Sequence, residues 1–304
     1  MATAVEVVVD TGGTGDYATL AAAEAGEQRN LVTADEQLTI KCQCTTGVAD
    51  NSPFTFAGWT DDATRYIKVW TDPAEGYRHT GKWDDSKYRN VNILSYDHLD
   101  FGQVRIAEGL QLYQSAYNGL VGAALLSFDS CIVKGYLKPV GGGTISNCLF
   151  LYSGYNTKGI DNNWRGSQYT YNCTFVGIAL GMSIVTGNNA CTTKNCLFYD
   201  CAADYYQSVS TSKTQTNCAT DNDSAASGLS SAESTHRFEQ TFGFVNSGSG
   251  DYHLTSSDGG AKGYGTNLYA TFTTDIDGQA RPSSGAWCIG ADEYIAAGGG
   301  DYVD

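Results

Sequence analysis

The sequence predicts an all-β chain: a right-handed parallel β-helix (solenoid) with a short N-terminal capping helix and an irregular C-terminal cap. Three observations lead there. One dipeptide recurs as Ser130-Cys131, Asn147-Cys148, Asn172-Cys173, Asn195-Cys196 and Asn217-Cys218, at steps of 17, 25, 23 and 22 residues. Such a period marks stacked coils. The first four cysteines are each followed two positions later by Val133, Phe150, Phe175 or Phe198. Strand alternation therefore puts cysteine and aromatic on one inward face, while Ile132, Leu149, Thr174 and Leu197 point the other way. Finally, the chain has 36 Gly and 20 Tyr with abundant Thr, Ser and Asn, so turn and strand formers dominate over helix formers.

Each element follows in order. Residues 1–37 read as a cap, with Asp16 as N-cap of a helix from Tyr17 to about Gln28 whose Leu20 and Ala23 close the open end of the coil. Residues 38–117 carry less regular coils, with strands expected at Leu38–Cys42, Tyr66–Trp70, Gln103–Ile106 and Leu110–Leu112. Residues 118–220 hold the regular coils. Asn147, Asn172, Asn195 and Asn217 stand at the bends because asparagine tolerates left-handed backbone, and stacking makes an amide ladder of them. Beneath it Cys131, Cys148, Cys173, Cys196 and Cys218 form an internal thiol ladder of small hydrophobes. Successive coils hold Cβ atoms about 4.8 Å apart, beyond disulfide reach, so these thiols are expected to be free. Residues 221–295 form a Ser/Ala/Asp-rich loop and the C-terminal cap, and residues 296–304 a loose tail.

A net charge of -15 argues against nucleic acid and against anionic membranes as partners. The start of the chain, with Glu6 breaking a short apolar run and no preceding basic residue, reads as neither signal peptide nor membrane span. Folding in a reducing cytoplasm is the expectation, and the ten cysteines show no Cys-x-x-Cys metal spacing.

Several segments carry a resemblance. Val9-Asp10-Thr11-Gly12-Gly13-Thr14-Gly15-Asp16-Tyr17-Ala18-Thr19-Leu20 resembles the N-terminal cap of pectate-lyase-like β-helix proteins. The Asn-Cys-x-Phe coils and the ending Asp275 to Pro282 with Ile289 to Glu293 are similar to right-handed parallel β-helix repeat proteins. The block Gly58 to Ile67 resembles β-helix proteins from phage and environmental bacterial genomes. The resemblance implies the fold and leaves the activity open, since β-helices serve as lyases, hydrolases, esterases and inert spikes.

The enzyme patterns of those relatives are missing. None of the four prolines has an arginine two residues before it, as the lyase segment requires. Tyr96-Asp97-His98 and Asp100-Phe101-Gly102 are fragments of lyase and esterase motifs, and no Gly-His-Gly occurs. Asp61/Asp62 and Asp84/Asp85 are adjacent, so on a strand their carboxylates diverge. Asp275-Ile276-Asp277-Gly278 opens like a calcium loop, but Ala286 occupies the place of the closing glutamate. No catalytic residue, metal or cofactor is assigned.

Two contact surfaces are expected. The long excursion between bends, with Tyr155, Asp161, Trp164, Arg165 and Tyr169, suits glycan hydroxyls or a protein partner. Trp59, Trp70 and Trp83 concentrate outside the regular repeat and suit a docking patch. The function expected is a non-enzymatic structural protein of a phage virion: a capsid decoration, spike or tail-associated β-helix. Its partners would be other capsid or tail proteins, further copies of itself (a trimer among the options) and host surface glycans. The alternatives are a polysaccharide lyase or depolymerase with an unfamiliar site, and a non-catalytic glycan-binding module.

Overall fold

In the computed structural model, residues 2–92, 99–114, 119–122, 127–139, 142–154, 157–162, 166–185, 190–207, 213–230 and 234–296 are described. Three parallel sheets are built from strands between Thr3 and Thr220, the arrangement of a parallel β-helix. The first sheet has nine strands: Thr3–Asp10, Glu36–Gln43, Ile67–Trp70, Val104–Glu108, Ser127–Asp129, Gly143–Ser146, Gln168–Tyr171, Cys191–Lys194 and Lys213–Thr216. The second stacks Arg89–Asn92, Gln111–Gln114, Ile132–Lys134, Leu149–Leu151, Thr174–Val176, Leu197–Tyr199 and Ala219–Thr220. The third stacks Phe54–Thr55, Leu99–Asp100, Leu120–Gly122, Leu137–Pro139, Lys158–Asn162, Leu180–Ile184 and Ala203–Gln207.

The bend between first and second sheets is the recurring dipeptide. Ser130, Asn147, Asn172, Asn195 and Asn217 all hold φ between 47° and 54°, the left-handed region. The chain then turns inward: all five ladder cysteines are free and buried. Val133, Phe150, Phe175 and Phe198 pair in strict register. The rings of Phe150, Phe175 and Phe198 stack face to face at 4.9 Å per step. They lie against glycines of the third sheet, where a β-carbon at Gly159 would fall 2.7 Å from Phe175 and one at Gly181 2.6 Å from Phe198. The ring stack therefore excludes side chains at those two positions.

The N-terminal helix runs Leu20–Glu27, three residues shorter at its start than expected. Thr19, not Asp16, caps it, accepting from the Ala22 N–H at 3.1 Å, while Asp16 instead accepts from the Val8 N–H. Tyr17 is already committed to a bridge with Val9, which delays helical geometry. Leu20 and Ala23 are fully buried over the first coil, as the closing role requires. At the far end, Leu229 and Phe238 cover the last coil, and Arg237 pairs with Ala219.

The C-terminal segment does not extend the stack. It runs along the outer flank of the second sheet. Ile276 and Ala291 pack on Ile132 and Leu149, and Ile289 and Cys288 pack with Leu197 and Ala219. The bend asparagines hold it in place. Asn172 donates to the carbonyls of Cys288 and Gly290 at 3.2 and 3.3 Å, and Asn195 exchanges two bonds with Thr266 at 2.8 and 2.9 Å. Asn147 accepts from Arg281 at 3.0 Å and Asn217 donates to Tyr264 at 3.1 Å. The expected amide ladder is thus corrected. Asn195 to Asn172 (3.0 Å) is the one amide–amide bond among the described bends: Asn147 donates to Asp129 at 3.1 Å and accepts from Arg281, and Asn217 donates to the flanking segment. Glycine would satisfy the bend's φ, but the asparagines, and Ser130 through its 3.3 Å bond to the Asp275 carbonyl, also grip this C-terminal strap (residues 242–295).

Candidate ligand groove

Each strand of the second sheet presents two outward positions. The first, directly after the cysteine in the coils that have one, is covered by the strap. The second forms a column of Val91, Tyr113, Lys134, Leu151 and Val176, aligned by the strand register, with Leu151 and Val176 buried. This column floors a groove along the coil axis. At five strands and about 4.8 Å per step, the floor spans roughly 20 Å. Two adjoining cavities of ≈ 490 and ≈ 370 Å³ make up the groove and share Trp83, Lys134 and Tyr152. Trp83, Ser249, Gly250 and Tyr252 line the strap side, and Tyr152 stands 55% exposed on the open side.

Its charges are arranged around Trp83. The indole N–H donates to Asp85 at 2.9 Å, and the Lys134 ammonium lies 4.1 Å from the ring centroid. Burial lowers the Lys134 pKa below the ordinary lysine value, an effect partly offset by Asp85. Arg89 pairs with Asp85 at 3.4 Å and donates to the Gly47 carbonyl at 3.0 Å. The groove's other acid, Asp200, follows the Leu197–Tyr199 strand, three coil steps from Lys134. Three steps are about 14 Å.

The expected contact residues do not gather in one place. Tyr155, Trp164 and Arg165 lie outside the described residues, as does Tyr96-Asp97-His98. Asp161 is buried on the third sheet in a 2.9 Å ion pair with Lys158, so its carboxylate is already satisfied internally. Tyr169 is exposed, but on the first sheet, beside Tyr171 at 6.1 Å. The tryptophan patch is likewise corrected. Trp59 is buried, stacked on Phe56 at 6.5 Å, because it helps fill the first coils. Trp70 lies on the first sheet under Lys68 at 4.0 Å, and only Trp83 reaches the groove. The groove itself went unforeseen. Its signal was the residue three after each cysteine (Lys134, Leu151, Val176, Tyr199), one alternation beyond the pair that was read.

A second polar cluster lies at the base of the strap. His253 sits between Asp251 (Nδ1, 2.6 Å) and Asp277 (Nε2, 3.0 and 3.1 Å). Asp292 stands beside them and accepts from the Leu254 N–H at 2.7 Å. His253, Asp277 and Asp292 offer the one described set of three donor atoms close enough to share a metal ion.

Fold and groove together define the chain's class as a parallel β-helix with an aromatic groove between coil and strap. Comparison with known proteins finds no matching family model, no similar curated protein and no similar solved structure at a significant level.

Proposed function

We propose that this protein is a non-enzymatic structural component of a phage virion, a capsid decoration, spike or tail-associated rod, whose groove holds a host glycan chain. The observation that carries the reading is the groove: a roughly 20 Å floor flanked by Trp83, Tyr113, Tyr152 and Tyr252, shaped for an extended ligand. Aromatic planes bordered by polar groups suit sugar faces and hydroxyls. The virion setting is supported by the resemblance of the Gly58–Ile67 block to phage β-helices. An acidic exterior with a net charge of -15 also keeps crowded copies soluble.

One observation favours a second reading, a polysaccharide lyase or depolymerase. Lys134 is a half-buried amine in the groove whose pKa is lowered, the property a general base needs. The virion reading is tested by quantitative proteomics of purified phage particles. The chain is expected at tens of copies per particle. Its absence from particles, with recovery only from the cytosol or medium of uninfected bacteria, would overturn the assignment.

A further inference from the structure

His253, Asp277 and Asp292 come from separate turns of the strap, and their donor atoms already lie within 4.8 Å of one another. Donors about 2.1 Å from a tetrahedral zinc-class ion stand roughly 3.4 Å apart, so binding draws the three side chains closer together. A small cavity of ≈ 10 Å³, walled mostly by Leu149, Ile276 and Ala291, reaches His253, Asp292 and Gly81 beside this cluster. Gly81 comes so close that a β-carbon there would fall 2.1 Å from the Asp277 carboxylate and 2.4 Å from His253 Nε2. Backbone of the 79–83 loop therefore walls the cavity, and any side chain would fill it.

The imidazole has the support that a metal-binding histidine uses. Its far nitrogen, Nδ1, lies 2.6 Å from Asp251, which fixes the ring orientation with Nε2 turned toward Asp277. Charge points the same way. Asp251, Asp275, Asp277 and Asp292 crowd the site, while Arg281 is engaged with Glu293 at 2.8 Å and Lys82 lies 3.9 Å from Asp251 and donates to Ser249 at 3.4 Å. Protonated, His253 offsets part of that charge.

We infer that His253, Asp277 and Asp292 form a binding site for a divalent transition ion of the zinc class, with Asp251 as the positioning residue. One imidazole with two carboxylates suits zinc or manganese better than calcium, which takes six to eight oxygens. Binding displaces the Nε2 proton to solvent, and the ion takes over both of its contacts to Asp277. The ion would join the 251–254 strand to the 275–293 turn, fastening the strap's own segments to one another. The inference does not depend on the glycan reading.

The test uses the full chain, stripped with EDTA and titrated with ZnCl2 by calorimetry. One saturable equivalent per chain is expected, with a rise in melting temperature, and millimolar Ca2+ or Mg2+ should not compete. Cobalt substitution should give visible d–d bands without a thiolate charge-transfer band. Asp251→Asn should fold normally by circular dichroism and bind zinc about 10- to 100-fold more weakly. His253→Asn should abolish the equivalent. The site is refuted if the wild-type chain shows no saturable zinc binding, if cobalt reports thiolate ligands, if calcium competes equally, or if folded Asp251→Asn binds as tightly as wild type.

Discussion

Phe175→Asp is expected to leave no cooperatively folded protein at 25 °C. Phe175 is the middle ring of the stack, 4.9 Å from Phe150 on one side and from Phe198 on the other, and fully buried. A carboxylate there has no partner within the ring stack. An unpaired buried charge costs several kcal/mol even after relaxation, and the lost aromatic packing adds about 3–5 kcal/mol. Native stabilities are about 5–15 kcal/mol, so the sum removes most or all of the margin. Urea denaturation followed by circular dichroism checks this. A variant unfolding at the wild-type midpoint would mean that the Cys-x-Phe face does not point inward.

Arg281→Met should have the next largest effect and a different signature. Arg281 is buried. It pairs with Glu293 at 2.8 Å, donates to Asn147 at 3.0 Å and to the Ala291 carbonyl at 2.8 Å, and so ties the strap to a coil bend. Methionine fills most of the volume but leaves Glu293 buried without its cation. Breaking a buried pair from one side typically costs 3–5 kcal/mol. The strap should loosen before the coils do, so proteolysis should begin within 242–295 while the thiol ladder stays protected. Adding Glu293→Gln should recover part of the loss, because the stranded charge is then gone. Equal protease resistance of wild type and Arg281→Met would show that the strap is held by its apolar contacts alone.

The coils were legible because a parallel stack repeats its own register. Once Asn-Cys-x-Phe recurs, alternation decides which side chains are inside and which residue bends. The strap was not legible, because its contacts to the coil join residues far apart in the chain, such as Asn147 with Arg281 and Thr174 with Ala291. Still, the sequence held a clue. Ile132, Leu149 and Leu197 face outward yet are apolar, and an apolar outer column implies that something covers it. The helix start was misplaced because Asp16 and Thr19 are both good caps, and only the Val9–Tyr17 bridge decides between them. Trp59 and Trp83 look alike in sequence. One fills the first coils and the other borders the groove, a difference of tertiary packing that no local pattern records.

The most direct test of the central claim, a groove that holds an extended glycan without cleaving it, is calorimetric titration with an oligosaccharide panel, followed by product analysis. The panel should include host capsule, pectate and alginate fragments. Saturable binding to at least one oligosaccharide is expected, weakened tenfold or more in Tyr152→Ala, with chain length unchanged after prolonged incubation. A loss of about 1.4 kcal/mol corresponds to that tenfold change. Accumulation of shortened or unsaturated, ultraviolet-absorbing products that disappears in Lys134→Met would contradict the account and establish the groove as a lyase site.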